Sequence, residues 1–403
     1  MQNILFLSFI RYTTINVHDF YADILRQYVK DGVHVYVVSL VESKYGVKNS
    51  ILYEEGCEIL QVKIGDYFNV NSVRKGLTLL ELEYRIIAAI KKCWASVKFD
   101  MILYATPPIS LAKVIRYIKK KDNAFSYLML KDIFPQNAVD LGMMKTAGIK
   151  GTLYNFFRNQ EKKLYSCSDR IGCMSQANVD YLIKHNPEIN KTRVEICPNC
   201  IEPQDMSISE DERCNIRKKY NIPIDKTVFV YGGNLGKPQG IDYLIECLKG
   251  QIDNQDVYFL IVGNGTEFTK LKKFFELFRP RNMKLMSKLP KDDYDHMIAA
   301  CDVGMIFLDH RFTIPNFPSR LLSYMQAKLP VLACTDPNTD IGKVITEGGF
   351  GWWCESDDVE NFSKLIKIVL CSDFKQMKEN EMSYLTENYS ADYVYKKINE
   401  ILN

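Results

Sequence analysis

The sequence lacks the marks of a membrane-spanning, a secreted or a serine-hydrolase protein. Its longest apolar runs have the length of a strand, whereas a membrane-spanning helix needs about 20 apolar residues. Its N-terminal segment shows neither a basic region nor a small-residue cleavage site, so we expect no signal peptide. No G-x-S-x-G motif is present, and no two histidines have the spacing of metal ligands. These absences together predict a cytoplasmic protein.

Cysteine is present without an arrangement that would give it a function. The twelve cysteines are scattered, and a long chain without a secretion signal keeps them as thiols. The single C-x-x-C pair, Cys197 and Cys200, has no second pair to complete a zinc site. We therefore expect neither metal binding nor redox chemistry from this pair.

The composition is that of an ordinary soluble globular protein. Hydrophobic residues make up 47% and charged residues 25% of the 403 positions, which excludes a disordered chain, a collagen-like fibre and a coiled coil. Because a domain typically holds about 100–200 residues, we expect two domains. The net charge is +3, but residues 1–200 carry 27 Lys+Arg against 19 Asp+Glu. This asymmetry indicates either a half that faces an anionic membrane or nucleic acid, or a chance imbalance on a solvated face.

Strands and helices alternate along the chain, and the alternation restarts after residue 220. This pattern is typical of parallel, doubly wound α/β sheets. The predicted strands are 3–9, 33–40, 100–106, 124–130, 227–233, 257–265, 283–289, 302–308 and 330–335. A polar stretch at 197–211 predicts a boundary between an N-terminal domain, 1–200, and a C-terminal domain, 201–383. In such sheets, ligands lie beyond the carboxyl ends of the strands.

Three loops that follow predicted strands carry candidate anion-binding residues. The first contains Asn234, Gly236 and Lys237. Glycines let the backbone approach a phosphate closely, and a helix N-terminus attracts anions. A lysine at that end opposes the helix dipole, which favours a ligand site over a purely structural turn. The spacing fits neither the dinucleotide fingerprint nor the P-loop.

The other two loops are less specific. Gly263, Asn264 and Gly265 lie between a strand and a helix, where a tight turn explains both glycines as well as a ligand does. Ser319 and Arg320 are suited to holding a phosphate at a helix start. A plain capped amphipathic helix explains the same two residues.

Two further patterns have structural explanations of equal or greater weight. Asp293 and Asp295 have the D-x-D spacing of a metal–nucleotide site, but they open a predicted helix, where aspartate is expected for capping. His18 follows the first strand and is either catalytic or simply exposed. Neither pattern assigns a function by itself.

One segment of the basic half, residues 145–165, combines aromatic with basic residues, as a helix in a membrane interface does. A core helix with a charged outer face is the alternative. The membrane candidates in this segment are Lys150, Tyr154, Phe156, Phe157 and Arg158. They predict a peripheral protein on the inner face of the plasma membrane, with the second, net negative half facing away.

Six segments of the chain together resemble bacterial glycosyltransferases of family 4, whose GT-B fold consists of two Rossmann-like domains that face a cleft. The segments are LKDIFPQ at 130–136, CMSQANVDYL at 173–182, ICPN at 196–199, VYGGNLGKPQG at 230–240, IVGNGTE at 261–267 and PSRLLSYMQAKLPVLA at 318–333. The nearest variety builds capsule or O-antigen repeat units and includes fucosamine (N-acetylfucosamine) transferases. In this fold a C-terminal helix, here within residues 384–403, packs back on the first domain.

The resemblance implies transfer of a sugar from a nucleoside diphosphate sugar, such as a UDP-linked N-acetylated amino sugar, with retention at the anomeric carbon. It implies no metal and no cofactor, because basic residues and helix N-termini stabilise the departing pyrophosphate. Asp132 matches the position beside the reacting sugar, and Lys237 matches a pyrophosphate-binding position. The nucleotide-sugar set is Asn234, Gly236, Gly263, Asn264, Gly265, Ser319, Arg320 and Ser323. The implied acceptor is a polyprenyl-pyrophosphate-linked sugar or a growing polysaccharide, and nucleic acid is not an expected partner.

The sequence departs from the family pattern in two places. Pro315 and Ser323 replace the two glutamates usual around the third loop, which leaves the ribose contact unassigned. The paired glycines expected after the first strand are also missing. We assign to the acceptor side three residues of the loop that stands there, Asn16, His18 and Asp19.

Two alternatives to a transferase stay open. An epimerase of a UDP-amino sugar shares the fold, and it would need no lipid. The missing glutamates also suit a non-catalytic, nucleotide-sugar-binding partner of another transferase.

Overall fold

The structure is a computed structural model that describes residues 1–67 and 72–400, apart from the side chains of residues 72–77, 80, 149 and 150. Its strands are β1 (Asn3–Leu7), β2 (His34–Glu42), β3 (Ser50–Glu54), β4 (Cys57–Ile64), β5 (Met101–Ala105), β6 (Phe125–Leu130), β7 (Arg170–Cys173), β8 (Val194–Ile196), β9 (Thr227–Asn234), β10 (Val257–Asn264), β11 (Met283–Met286), β12 (Val303–Phe307), β13 (Val331–Thr335) and β14 (Gly351–Glu355). Its helices are α1 (Phe20–Lys30), α2 (Ser72–Cys93), α3 (Ala112–Asp122), α4 (Gln136–Asp140), α5 (Gly148–Cys167), α6 (Gln176–His185), α7 (Glu210–Lys219), α8 (Ile241–Lys249), α9 (Phe268–Phe278), α10 (Lys291–Ala299), α11 (Arg320–Gln326), α12 (Ile341–Glu347), α13 (Val359–Leu370), α14 (Phe374–Tyr389) and α15 (Ala391–Glu400).

The first unit comprises Met1–Glu202 and Ala391–Asn403, and its strands form one eight-stranded sheet in the order β3-β4-β2-β1-β5-β6-β7-β8. Neighbouring strands are parallel except for the antiparallel pair β3 and β4. Side chains of α2, α3, α5 and α6 cover one face, and those of α1 and α15 cover the other. Because both faces are covered, β5 is buried throughout, as its unbroken apolar run predicts.

The second unit, Pro203–Ser390, contains a parallel six-stranded sheet in the order β11-β10-β9-β12-β13-β14. Numbered within the unit, this order is 3-2-1-4-5-6, the order of dinucleotide-binding folds. The chain reverses direction across the sheet between β9 and β12. Ligands of doubly wound sheets bind at such a reversal, beyond the carboxyl ends of the strands. In the first unit the corresponding reversal lies between β1 and β5.

The doubly wound parallel sheets predicted from the sequence are confirmed, and every predicted strand is present. The strand predicted at 283–289 ends at Met286, and other bounds shift by one or two residues. Five strands were not predicted: β3, β4, β7, β8 and β14. β7 and β8 have only four and three residues, so no periodicity develops. Polar residues interrupt the apolar run of β4.

The return of the chain to the first unit comes later than residue 384. The end of α14 belongs to the second unit, where the rings of Tyr389 and Phe317 lie 5.9 Å apart. α15 belongs to the first unit and packs on it, with the rings of Tyr395 and Tyr28 at 4.7 Å. The first unit also continues to Glu202, two residues beyond the boundary predicted from the sequence.

Candidate active site

The central strands of the second unit end at the same edge of the sheet. β9 ends at Asn234, β10 at Asn264 and β12 at Phe307. The loops after β9 and β12 touch there, because the Asp309 N–H donates to the Pro238 carbonyl oxygen at 3.0 Å. The loop after β10 meets the loop after β9 as well, because the Leu235 N–H donates to the Asn264 carbonyl oxygen at 3.0 Å. The edge at the strand reversal therefore brings all three candidate loops together, although they are distant in sequence.

The glycines of the loop after β10 are required by backbone packing. β9 and β10 pair so that Gly263 lies opposite Gly233. A Cβ atom at Gly263 would lie 1.9 Å from the Gly233 carbonyl oxygen, and one at Gly265 would lie 2.3 Å from the Leu235 carbonyl oxygen. The structural explanation of these glycines therefore holds. A ligand contact at Gly263, Gly265 or the exposed Asn264 stays a prediction.

Lys237 lies in a 3-10 turn, Lys237–Gln239, that precedes α8. It therefore stands outside the first turn of the helix, where the opposing dipole is weaker than the sequence suggested. Its exposed side chain makes no hydrogen bond or ion pair with any residue that the structure describes. Gln239 closes the turn, because its Oε1 accepts from the Gly236 N–H at 3.2 Å and from Asn234 Nδ2 at 3.3 Å. No motif had singled out Gln239.

Arg320, the first residue of α11, is held against Tyr231 of β9. Its guanidinium carbon lies 4.3 Å from the centre of the Tyr231 ring. Its Nη2 lies 3.6 Å from the place that a Cβ atom at Gly233 would occupy. The Tyr231 hydroxyl donates to the Asn234 carbonyl oxygen at 3.1 Å. Tyr231 thus connects Arg320 to the loop that carries Lys237.

One donor of Arg320 is left over among the residues that the structure describes. Nη1 is buried and has no hydrogen-bond partner in the described part of the chain. Leaving a buried donor unpaired costs about 1–3 kcal/mol, and more when the group is charged. A guanidinium with an unfilled donor, at the carboxyl edge of a doubly wound sheet, has the chemistry of a phosphate-binding group.

Ser319 and Ser323 flank Arg320 without a marked structural function. Ser319 precedes α11 and makes no side-chain capping bond, and Ser323 is half-buried on the helix. Pro315, at the other missing glutamate position, is buried. The nucleotide-sugar contacts assigned to the two serines stay predictions.

Asp132 follows β6 in the first unit, beside the strand reversal of that sheet. Its Oδ1 accepts from Asn137 Nδ2 at 2.7 Å, and its backbone N–H donates to Thr106 Oγ1 at 3.2 Å. Burial raises the pKa of Asp132 to about 6, although the bonds from Asn137 and from the Ile133 backbone oppose the shift. A carboxyl group with this pKa changes its charge close to neutral pH.

The neighbouring Lys131 has a structural function. Its Nζ donates to the carbonyl oxygens of Cys197 and Pro198 at 3.0 and 2.9 Å. The thiols of Cys197 and Cys200 are free and buried, and burial raises their pKa. The C-x-x-C pair is therefore part of the core.

The loop after β1 contains the three residues assigned to the acceptor side. Asn16 and His18 are exposed. Asp19 caps α1, because its Oδ1 accepts from the Tyr21 and Ala22 N–H groups, both at 2.9 Å. Asp19 thus has a structural function that the acceptor assignment did not include, and the assignment itself stays a prediction.

His18 also belongs to a group of potential metal ligands. Its ring, Asp23 and Glu202 bring ligand atoms within 4.8 Å of one another. Arg26 already supplies a cation to them: its Nη2 bonds Asp23, donates to Glu202 at 3.1 Å and lies 3.4 Å from His18 Nδ1. This group is an ion-pair network around a guanidinium, so a metal ion does not fit.

The membrane candidates of α5 divide into exposed and inward-facing residues. Phe156 is 43% exposed, and the neighbouring Leu153 is 53% exposed. Phe157 is half-buried, with its ring 5.0 Å from that of Phe134, and the Tyr154 hydroxyl donates to Gln136 at 3.4 Å.

The basic residues among the membrane candidates offer less free positive charge to a membrane than the sequence suggested. Arg158 donates to Glu161 and Asn186, both at 2.5 Å, and to the His185 carbonyl oxygen. It is therefore used within the unit. The side chain of Lys150 lies outside the described residues. Among the helices of the described segments, none has both the length and the apolar character needed to cross a bilayer.

The carboxylates of the D-x-D motif are paired with lysines. Asp293 Oδ1 lies 3.3 Å from Lys219 Nζ, and Asp295 Oδ2 lies 2.5 Å from Lys291 Nζ. Both residues lie in α10, whose N-cap is Pro290 without a side-chain capping bond, so the aspartates do not cap the helix. The acidic first turn, which includes Asp293, suits the helix dipole instead.

The chain is similar to known glycosyltransferases. Residues 212–389 match the family model of glycosyl transferases group 1. A probable glycosyltransferase of Pseudomonas aeruginosa, WbjE, is 26% identical over 72% of this chain and 71% of its own. The putative colanic acid biosynthesis glycosyl transferase WcaI of Escherichia coli K12 is 21% identical over 65% of this chain and 64% of its own.

Solved structures share the architecture at low identity. Sucrose-phosphate synthase from Thermosynechococcus elongatus superposes with a TM-score of 0.76 and 13% identity, over 100% of this chain and 98% of its own. Anabaena Alr3699/HepE in complex with UDP-glucose superposes with a TM-score of 0.69 and 14% identity, over 100% of this chain and 99% of its own. The chain therefore has the GT-B fold, and these findings support a GT-B glycosyltransferase whose second unit matches the group 1 family.

Proposed function

We propose that the protein is a retaining glycosyltransferase of family 4 that transfers an N-acetylated amino sugar from a UDP-sugar. The observation that carries this proposal is the buried, unpartnered Nη1 of Arg320 beside the loop of Lys237. The likeness to a structure that holds UDP-glucose supports a uridine nucleotide. The likeness to a colanic acid transferase supports an acceptor in capsule or O-antigen synthesis.

The departing diphosphate is stabilised by a positive charge beside it. When the bond between the anomeric carbon and the β-phosphate oxygen breaks, negative charge grows on that oxygen. Arg320 and Lys237 supply positive charge there, and Tyr231 keeps Arg320 in position before the reaction begins. Because these side chains do the work of a divalent cation, we propose that the transfer needs no metal.

Asp132 is assigned to the reacting sugar or the acceptor. Its carboxylate accepts a hydrogen bond from a sugar hydroxyl once it is ionised. With a pKa of about 6, the carboxylate predominates above that pH, which covers the neutral range. The bond from Asn137 fixes the orientation of the carboxyl group.

The proposed acceptor is a polyprenyl-pyrophosphate-linked sugar at the inner face of the plasma membrane. Residues 101–170 contain 12 Lys+Arg and 5 Asp+Glu, a local excess that attracts an anionic leaflet. The exposed Leu153 and Phe156 of α5 add an apolar contribution that salt does not screen.

The experiment is a donor panel with and without lipid-linked acceptor. The purified protein is incubated with a series of UDP-sugars, and products are separated by mass. Product that forms only with the lipid-linked acceptor supports the transferase. Interconversion of a UDP-sugar without lipid would instead identify an epimerase, and binding without turnover would identify a non-catalytic partner.

The variant Arg320→Gln links the outcome to the site. It keeps a polar side chain but shortens it and removes the charge, so we expect weaker UDP binding and at least about 100-fold lower turnover. Lys364→Ala is the matched control, because Lys364 is an exposed cation of the same unit on α13. Equal loss in both variants would remove Arg320 from the mechanism.

A further inference from the structure

The C-terminal end of α9 presents apolar side chains to solvent. Leu277 is 76% exposed and Phe278 is 44% exposed, while Leu271 and Phe274 of the same helix are buried in the core. We call Leu277, Phe278 and Arg279 the α9 tip. The buried face of α9 is complete without these two adjacent side chains. Packing of the core therefore does not explain why large apolar residues stand at these two exposed positions.

Basic residues surround the α9 tip. Residues 268–291 contain eight Lys+Arg and one Glu, although residues 201–403 carry a net negative charge. Lys270 is held by Asp242, and Lys284 by the Tyr220 carbonyl oxygen. Four exposed cations make no ion pair with any residue in the described ranges: Lys273, Arg279, Arg281 and Lys288.

A groove of about 620 Å³ lies next to the tip. Phe275 and Leu285 line its apolar part, and Arg279, Lys272 and Glu276 line its charged part, where Lys272 is paired with Glu276 at 3.7 Å. The groove therefore continues the same combination of apolar and cationic groups that the tip shows.

We infer that the α9 tip and its four free cations form a docking surface for an anionic phospholipid bilayer. Cations attract the headgroups, and side chains that project at a helix end enter the interface. A nucleic acid would be attracted by the same charges, but bases stack on aromatic rings, and the tip offers one ring, Phe278, which is less exposed than Leu277. The negative net charge of the second half does not oppose docking, because attraction falls off within about 8–10 Å and local charge decides.

This surface consists of other residues than the proposed donor site and the basic segment of the first unit. It is an alternative to the expectation, drawn from net charge, that the whole second half faces away from the membrane. The proposal does not depend on the donor, the acceptor or any catalytic activity.

The test is co-sedimentation of the full chain with vesicles of phosphatidylcholine alone or with 30% phosphatidylglycerol, at low and high salt. We expect binding only to the anionic vesicles, with a fraction that resists high salt. Leu277→Ser with Phe278→Ser should lower the binding constant for the vesicles at high salt at least about tenfold, which corresponds to about 1.4 kcal/mol. Arg279→Ser with Arg281→Ser should weaken binding at low salt by a similar factor.

Matched controls distinguish binding through this surface from nonspecific binding of the vesicles by other exposed apolar residues. Ile224 and Ile368 are 52% and 51% exposed in the same unit, so Ile224→Ser with Ile368→Ser removes comparable apolar surface elsewhere. Leu153→Ser with Phe156→Ser tests the first unit in the same assay. An unchanged midpoint of thermal unfolding verifies that each variant is folded.

The outcomes distinguish the two membrane surfaces. The inference is supported if the α9-tip variants lose binding to anionic vesicles and the Ile224/Ile368 control keeps it. Absence of wild-type binding to anionic vesicles, or wild-type binding by the α9-tip variants, overturns it. Loss in the first-unit variant alone would support only the membrane attachment under the proposed function.

Discussion

Glu381 is a buried carboxyl group that should lower the stability of the second unit at neutral pH. It lies on α14 and is fully buried, and neither carboxyl oxygen has a hydrogen-bond partner in the described segments. Burial raises its pKa well above the usual value, and the charge of Lys378 on the same helix opposes the shift only in part. A carboxyl group in this setting carries a desolvation penalty with no compensating bond.

The sign of the pH effect follows from the raised pKa. Below the ordinary pKa of 4.5 the group is protonated in both the folded and the unfolded state, so it does not affect stability. As the pH rises above that value, the unfolded chain ionises while the folded one resists. Each unit by which the pKa is raised then removes about 1.4 kcal/mol, and the loss is complete once the pH exceeds the folded pKa.

Glu381→Met should stabilise the unit by about 1–3 kcal/mol at pH 8, because it removes both the charge and the unpaired polar atoms. For a unit of this size the midpoint of thermal unfolding would rise by roughly 3–10 °C. Glu381→Gln should gain less, since its amide stays unpaired. Glu379, exposed on the same helix, supplies the control Glu379→Met, which should change stability by no more than about 0.5 kcal/mol.

Urea unfolding at pH 4.5 and pH 8, followed by tryptophan fluorescence, measures these differences. Trp352 and Trp353 of β14 report on the same unit as Glu381. The stability gained by Glu381→Met should be larger at pH 8 than at pH 4.5. An equal gain at both values, or a variant less stable than the wild type at pH 8, would refute the reasoning.

Four further predictions concern the proposed site. Lys237→Ala should lower turnover by roughly 10²–10³ with unchanged thermal stability, and near-normal turnover would exclude Lys237 from leaving-group stabilisation. EDTA should leave the transfer rate unchanged in a product assay, whereas strong inhibition would point back to Asp293 and Asp295. Tyr231→Leu, which removes the ring beneath Arg320, should lower kcat more than Tyr231→Phe, which keeps the ring; equal kcat values would mean that the ring does not position Arg320. Asp132→Asn should abolish the rise of turnover with pH around pH 6, since only the ionised carboxylate accepts the sugar hydroxyl; a persisting rise would assign it to another group.

The parallel sheets could be predicted because their strands are buried on both faces. β5 and β10, for example, read as unbroken apolar runs between helical segments. Strands at the margins carry less information: β8 has three residues, all half-buried. The position of β4 beside β2 rests on contacts that the residue pattern of β4 does not encode.

The candidate site could be predicted only where one loop contains the signal. Glycines and a lysine together indicated the loop of Lys237. The contact of Tyr231 with Arg320 joins β9 to α11 and exists only after the sheet has formed. The bonds of Arg158 to Asn186 and of Arg26 to Glu202 were hidden for the same reason, since each of these partners lies on another segment. The capping function of Asp19 was readable, because an aspartate immediately precedes a helical pattern.

The hydrogen bond at the point where the chain leaves and re-enters the first unit has an engineering consequence. The Ala391 N–H donates to the Ile201 carbonyl oxygen at 2.8 Å, so the two junctions of the second unit lie side by side. The segment from Pro203 to Ser390 is thus a cassette with adjacent ends. Recombination at these two junctions would exchange the cassette for that of a relative without cutting a strand of the first sheet.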